Sequence, residues 1–240
     1  LATALILFKL YYNRLLSYFT FKALKDIKAL MIFVHVNKDI FIRTLCIIFV
    51  FTFFTSSSAA ANKEILAVNT LLLQLFFIYS FFVDGFAYAA EALTGRYVGA
   101  NNPQLLSKAI RLLFRWGLGI AIIFTFVYAF SWTPIIRIMS DNQEILNLAK
   151  NYAIWIISMP LLAFASFLWD GIYIGATASV QMRNSMLIAT VGVFFPIYYS
   201  LHNLFENHAL WIALLSFLFT RGVAQYFMAK KAVYSKVETQ

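Results

Sequence analysis

The chain is expected to fold as an all-α integral membrane protein, a lobe of six transmembrane helices. Three observations lead there. Of its 240 residues, 62% are hydrophobic and only 12% charged, with a mean hydropathy of +0.78; a soluble core cannot hide that much apolar surface. Six apolar stretches each come near or exceed the ~20 residues that a helix needs to cross a bilayer. Lys and Arg gather in alternate connections between those stretches.

The chain opens on LATALILF, residues 1–8, followed at once by Lys9. This run is too short to span, and a signal peptide carries its positive charge before the apolar run. It reads as the last turns of a preceding helix, and the chain as a piece of a longer protein. Lys22, Lys25 and Lys28 then recur at helical spacing with Leu24, Ile27, Leu30 and Met31 between them. That pattern predicts a helix lying in the interface, apolar face in lipid and lysines toward headgroups. The expected organisation is residues 1–38 as helix tail and interfacial linker, 39–231 as the six-helix lobe, and 232–240 as a cytosolic tail.

The spans follow as Phe41–Ala61, Ile65–Tyr97, Leu105–Trp132, Leu146–Thr177, Met186–His202 and Ala209–Met228. The second and fourth exceed one bilayer, so tilt or bending is expected, with a kink at Pro160. Turn chemistry separates the spans at Asn62-Lys63, Asn101-Asn102-Pro103, Pro134, Asp141-Asn142 and His202 through His208. Positive charge lies before the first span (Lys9, Arg14, Lys22, Lys25, Lys28, Lys38) and between the second and third (Arg96, Lys108, Arg111, Arg115). It returns between the fourth and fifth (Arg183) and after the sixth (Lys230, Lys231, Lys236). This is the positive-inside pattern with both ends cytosolic. It also explains the net charge of +9 without a nucleic-acid partner.

Other chemistries find no footing. Cys46 is alone in an apolar run, so there is neither a disulfide framework nor a CxxC motif. Gly171 through Gly175 in WDGIYIGA lacks the third glycine and the strand–turn–helix setting of a dinucleotide site; it reads as small residues for close helix packing. His35, His202 and His208 are scattered over loops and span ends, so no metal centre, cofactor or enzymatic cluster is expected.

The informative residues are the polar ones inside the spans. Ser80, Asp84, Tyr88, Glu91 and Gly95 share one face of a helix. An intramembrane carboxylate costs about 2.5–3.5 kcal/mol on insertion scales, so such a stripe faces protein or water. In the fourth span Ser166, Asp170, Tyr173 and Thr177 cluster on one face, with Trp169 beside the acid. Arg43 and Arg221 are the cations within the first and last spans, candidates for ion pairs that fix helix register. The outer end of the first span is polar, with Thr52, Thr55, Ser56, Ser57 and Ser58. Trp155, Trp169 and Tyr173 are candidates for cation–π contact.

Several motifs in order, VNKDIFIRT, LAVNTLLLQ, DGFAYAAEALTGRYVGA, RWGLG, and WDGIYIGAT followed by RNSM, resemble the multidrug and toxic compound extrusion (MATE) transporters, in their DinF-like branch. The resemblance covers nearly the whole chain. It implies a twelve-helix protein of two six-helix lobes, of which this chain corresponds to the C-terminal one, with LATALILF as the tail of the sixth helix. It further implies extrusion of amphipathic, often cationic compounds against H⁺ or Na⁺, in the bacterial cytoplasmic (inner) membrane, with membrane lipids and the N-terminal lobe as partners. Asp170 falls where the family places a cation-linked acid in the tenth helix; Asp84 and Glu91 fall in the eighth-helix motif. FIRTLCIIF departs from a branch that carries an acid in the seventh helix, having Arg43 instead, which favours H⁺. Coupling or substrate contact is thus expected at Asp170, Asp84, Tyr88, Glu91 and Tyr173. Two rival readings are a lipid-linked sugar flippase, which calls for more cavity-facing Arg than Arg43 and Arg221, and a non-transporting remnant of a truncated gene.

Overall fold

The computed structural model describes residues 27–238. The LATALILF tail, Lys22 and Lys25 lie outside the described residues. The chain divides into two units, Leu1–Asp39 and Ile40–Gln240, and the second of them is the six-span lobe.

The first span is the latter part of α1 (Ile27–Ala61), followed by α2 (Lys63–Gly99), α3 (Pro103–Met139) and α4 (Gln143–Gly175). The fifth span is composite: α5 (Ser179–Leu187), a π-helical segment (Ile188–Phe194) and α6 (Phe195–Phe205). The sixth joins α7 (Asn207–Ala229), a second π-helical segment (Lys230–Tyr234) and α8 (Ser235–Glu238). All six are long and apolar enough to cross a membrane, and the described residues contain no strand.

The starts of the helices are set by asparagine. Asn62 Oδ1 accepts from the Ile65 amide at 2.6 Å, Asn102 from Leu105 at 2.9 Å, and Asn142 from Glu144 at 2.9 Å. Each satisfies an amide that a first helical turn leaves without a partner. Pro103 opens α3, where its missing N–H costs nothing. The break expected at Pro134 does not occur, because α3 runs through it to Met139 and the turn falls at Ser140–Asn142. One absent backbone bond leaves enough of the ladder for neighbouring groups to sustain. α4 likewise continues through Pro160, whose carbonyl accepts the Tyr79 hydroxyl at 3.0 Å. The last break is at Glu206, with φ of 46°.

The antiparallel succession gathers the ends of α2 and α4 and the start of α3 around one apolar cluster that includes Ala90, Leu106, Ile110, Ile172, Ala176, Ala232 and Val233. Lys236 reaches back to the Thr177 carbonyl and hydroxyl, both at 3.1 Å, a cation closing a helix C-terminus. By the charge rule this basic end is expected on the cytosolic side. In a Cys46→Ala background, single cysteines at Asn142 and Ser235 are expected to react with impermeant maleimide from opposite faces. Labelling of both from one face would sink that topology.

A second, larger cluster fills the other half with Val50, Phe54, Leu72, Tyr79, Ile156, Ala163, Trp211 and Phe217. It holds a buried polar knot: Asn69 and Asn207 exchange amide hydrogen bonds at 2.7 and 3.1 Å, while Asn69 also donates to Ser58 and accepts from Trp211 Nε1. The polar end of the first span is therefore partly internal glue between α1, α2 and α7.

Glycine sets the α2–α4 distance. A methyl group added at Gly171 would lie 2.0 Å from the Ala87 carbonyl oxygen, and one at Gly175 2.3 Å from that of Glu91. Two glycines four apart on α4 thus let two backbones touch, the packing mode that lipid favours because apolar side chains gain little by leaving it.

Candidate functional site

The two apolar clusters leave a layer between them. On α2 the first ends at Val83 and the second begins at Ala90; on α4 they meet between Ala163 and Trp169, and on α7 between Leu218 and Ala229. Asp84, Ser166, Asp170, Arg221 and Gln225 fall into or beside those gaps, at one depth. Asp84 is about 15 residues, roughly 22 Å, from the basic end of α2.

At this level lies a cavity of about 360 Å³, lined by Arg43 from α1, by Ser80, Asp84, Tyr88 and Glu91 from α2, by Asp170 from α4 and by Arg221 from α7. Four of the five residues in the stripe expected on α2 therefore line one cavity. Tyr88 stands at its mouth, 71% exposed. Gly95, at the end of the stripe, lies instead against the Gly175 backbone.

Asp170 is the most heavily engaged group. Its Oδ2 is paired with Arg43, and Arg221 Nη2 lies 3.7 Å from the same oxygen. Its Oδ1 accepts from Gln225 Nε2 at 2.7 Å. Arg221 also donates to Ser166 Oγ at 2.8 Å, and its guanidinium lies over the Phe167 and Phe217 rings at 5.6 and 5.7 Å. Side-chain exposures of 9% for Asp170 and 5% for Arg221 make this an interior ion pair, with Arg43 at 20% facing the cavity.

Asp84 and Glu91 are half-buried on the cavity wall and make no ion pair among the described residues. The two guanidinium groups face three carboxylates, so the fully ionised cavity carries one net negative charge.

Tyr173 does not line the cavity. It is fully buried, and its hydroxyl donates to the Gln225 carbonyl at 2.7 Å, bracing the residue that holds Asp170. Thr177 leaves the expected face, because the helix ends at Gly175 and Thr177 has φ of 53°. The aromatic wall is Phe51, Phe76, Phe77 and Phe167. Trp169 packs against Phe114, and Trp155 Nε1 donates to His208 Nδ1 at 2.9 Å in another part of the lobe. Gln225 was not among the residues expected from the sequence. Its one signal there is its place four residues after Arg221 on an otherwise apolar span. Among the described residues, no three His, Cys, Asp or Glu side chains are grouped as a metal ion requires.

Six apolar helices, four of which line a charged cavity, define a polytopic membrane protein with a polar site at the depth of its spans. The MatE family pattern matches residues 40–199, and the chain belongs to that family, one of transporters and not of enzymes. It is 36% identical over 188 residues to the DNA damage-inducible protein F of Escherichia coli (strain K12), a match covering 78% of this chain and 40% of that protein. The Protein DETOXIFICATION 45, chloroplastic, of Arabidopsis thaliana is 20% identical over 146 residues, covering 61% of this chain and 26% of the relative. A crystal structure of the Vibrio cholerae MATE transporter VcmN in its bent form shares the fold, with a TM-score of 0.76 at 16% identity over 87% of this chain and 48% of that one. The chain thus spans less than half the length of each of these relatives.

Proposed function

We propose that this chain is the C-terminal lobe of a secondary active exporter that exchanges amphipathic or cationic compounds for protons across a bacterial inner membrane. The observation that carries this reading is the cavity of about 360 Å³. It joins an aromatic wall to a net negative charge inside an apolar bundle. Aromatic faces and a carboxylate suit an organic cation. Protons are favoured over Na⁺ because Arg43 and Arg221 occupy the Asp170 carboxylate that a sodium ion would need. Both arginines are directed at that acid, which leaves little to recruit the anionic headgroup of a lipid-linked sugar.

A lone lobe leaves one side of its charged cavity without a protein wall, a costly arrangement in lipid. Cells that lack their own efflux pumps and express residues 1–240 alone are expected to accumulate ethidium like empty-vector cells. The same lobe within its full-length protein is expected to lower accumulation, with the effect abolished by a protonophore. Unchanged accumulation with the full-length protein, or protonophore-insensitive efflux, would refute proton-driven export.

A further inference from the structure

Resting on the transport reading above, we propose that Asp84 is the group of this lobe that exchanges its proton for substrate, one proton per monovalent cation, while Asp170 stays ionised throughout as a fixed anchor.

The reason lies in what protonation would strand. Asp170 has both oxygens engaged, one by Gln225 and the other by Arg43 with Arg221 close by. A proton on it would leave two guanidinium groups side by side without a carboxylate at pairing distance among the described residues. That step is far costlier than protonating a carboxylate with no ion-pair partner. Among the described residues Asp84 is such a carboxylate, with its charge toward the cavity. The groups that face it are Arg43 from α1, Tyr88 and Glu91 from its own helix, Asp170 from α4 and Arg221 from α7. Since Asp170 is matched against one arginine and the other arginine offsets one further carboxylate, the ionisation of Asp84 decides whether the cavity is negative or neutral. Glu91 lies two turns nearer the basic end of α2, past Ala90, where the second apolar cluster begins, and so beyond the gap that holds Asp84.

Charge balance then sets the exchange. With Asp84 ionised, a monovalent cation neutralises the cavity. With Asp84 protonated, the cavity is already neutral and the same cation would arrive as an uncompensated charge. The proton leaves the Asp84 carboxyl for water as the cation enters, and the reverse step expels the cation. Affinity for a monocation should therefore rise with pH through the Asp84 titration, by up to about tenfold per pH unit below it.

The test uses the purified full-length protein in lipid nanodiscs. Infrared difference spectra between acid and alkaline pH are expected to show a protonated-carboxyl C=O band that Asp84→Asn removes and Asp84→Glu restores at a shifted position. At the acid end of the pH range in which that band changes, calorimetry with tetraphenylphosphonium in two buffers of different ionisation enthalpy should report close to one proton released per cation bound, falling toward none at the alkaline end. Asp84→Asn, neutral at every pH, should bind the cation only as weakly as the wild type does at acid pH, with proton release lost and affinity insensitive to pH. Persistence of the band, or of proton release, in Asp84→Asn overturns the assignment. If the wild-type protein binds no tetraphenylphosphonium, the export reading fails, and the infrared band still decides whether Asp84 titrates.

Discussion

Asp170→Asn is expected to deplete folded protein sharply, by a loss of about 3–5 kcal/mol, because it leaves buried positive charge without its counter-ion. The substitution keeps the shape of the side chain, so packing is not the cause. Among the described residues no second carboxylate lies at pairing distance from Arg221, whose other contacts include the Ser166 hydroxyl and the faces of Phe167 and Phe217. Arg221→Ala should lower the yield of folded protein by a similar amount, although Arg43 remains to hold Asp170. Combining Asp170→Asn with Arg221→Met removes the more deeply buried of the two stranded charges and leaves Arg43 beside the cavity. The double variant is therefore expected to recover a substantial part of what the first lost, as buried ion pairs replaced by apolar residues often do. Size-exclusion profiles and thermal melts in detergent would measure all three. If Asp170→Asn is as stable as the wild type and loses only efflux, Asp170 is not an anchor and its charge serves transport directly.

Gly171→Ala is expected to disrupt the lobe through sterics alone. The new methyl group would meet the Ala87 carbonyl oxygen at 2.0 Å, and backbone on both sides leaves no flexible side chain to swing away. α2 and α4 must separate, at a cost of about 1–3 kcal/mol or more. Asp84 and Asp170 ride on those two helices, so the charged layer is pulled apart with them. Gly192→Ala serves as the comparison: nothing lies within 4 Å of its added methyl, and alanine is the better helix former by roughly 1 kcal/mol. Equal melting temperatures for the two variants would refute close α2–α4 contact.

Much of this site is legible in the sequence. Helical periodicity alone puts Ser80, Asp84, Tyr88 and Glu91 on one face, and an intramembrane acid has to face something polar. The asparagine caps are visible because turn chemistry is local. Gly171 and Gly175 read as packing residues from their spacing, though not which backbone they would meet. Pairing is another matter. Arg43 and Arg221 could meet Asp84, Glu91 or Asp170, since the choice depends on the rotation of four helices about their axes. Asp170 lies 127 residues from Arg43 and 55 from Gln225, and no short-range signal connects them.

The sequence by itself determined that this chain belongs in a membrane, that its described residues hold six helices long and apolar enough to cross one, and which family it resembles. Those properties follow from hydropathy, charge placement and motif order, all of which are written along one dimension. The tertiary structure decided that Asp170 is held by two arginines and that Tyr173 braces Gln225 instead of facing the cavity. It also decided that Asp84 stands on the cavity wall without an ion-pair partner among the described residues. The physical reason is that a charge in a low-dielectric interior is defined by its nearest neighbours. Those neighbours come from helices whose depth and rotation are settled only when glycine contacts, polar knots and apolar clusters are satisfied together.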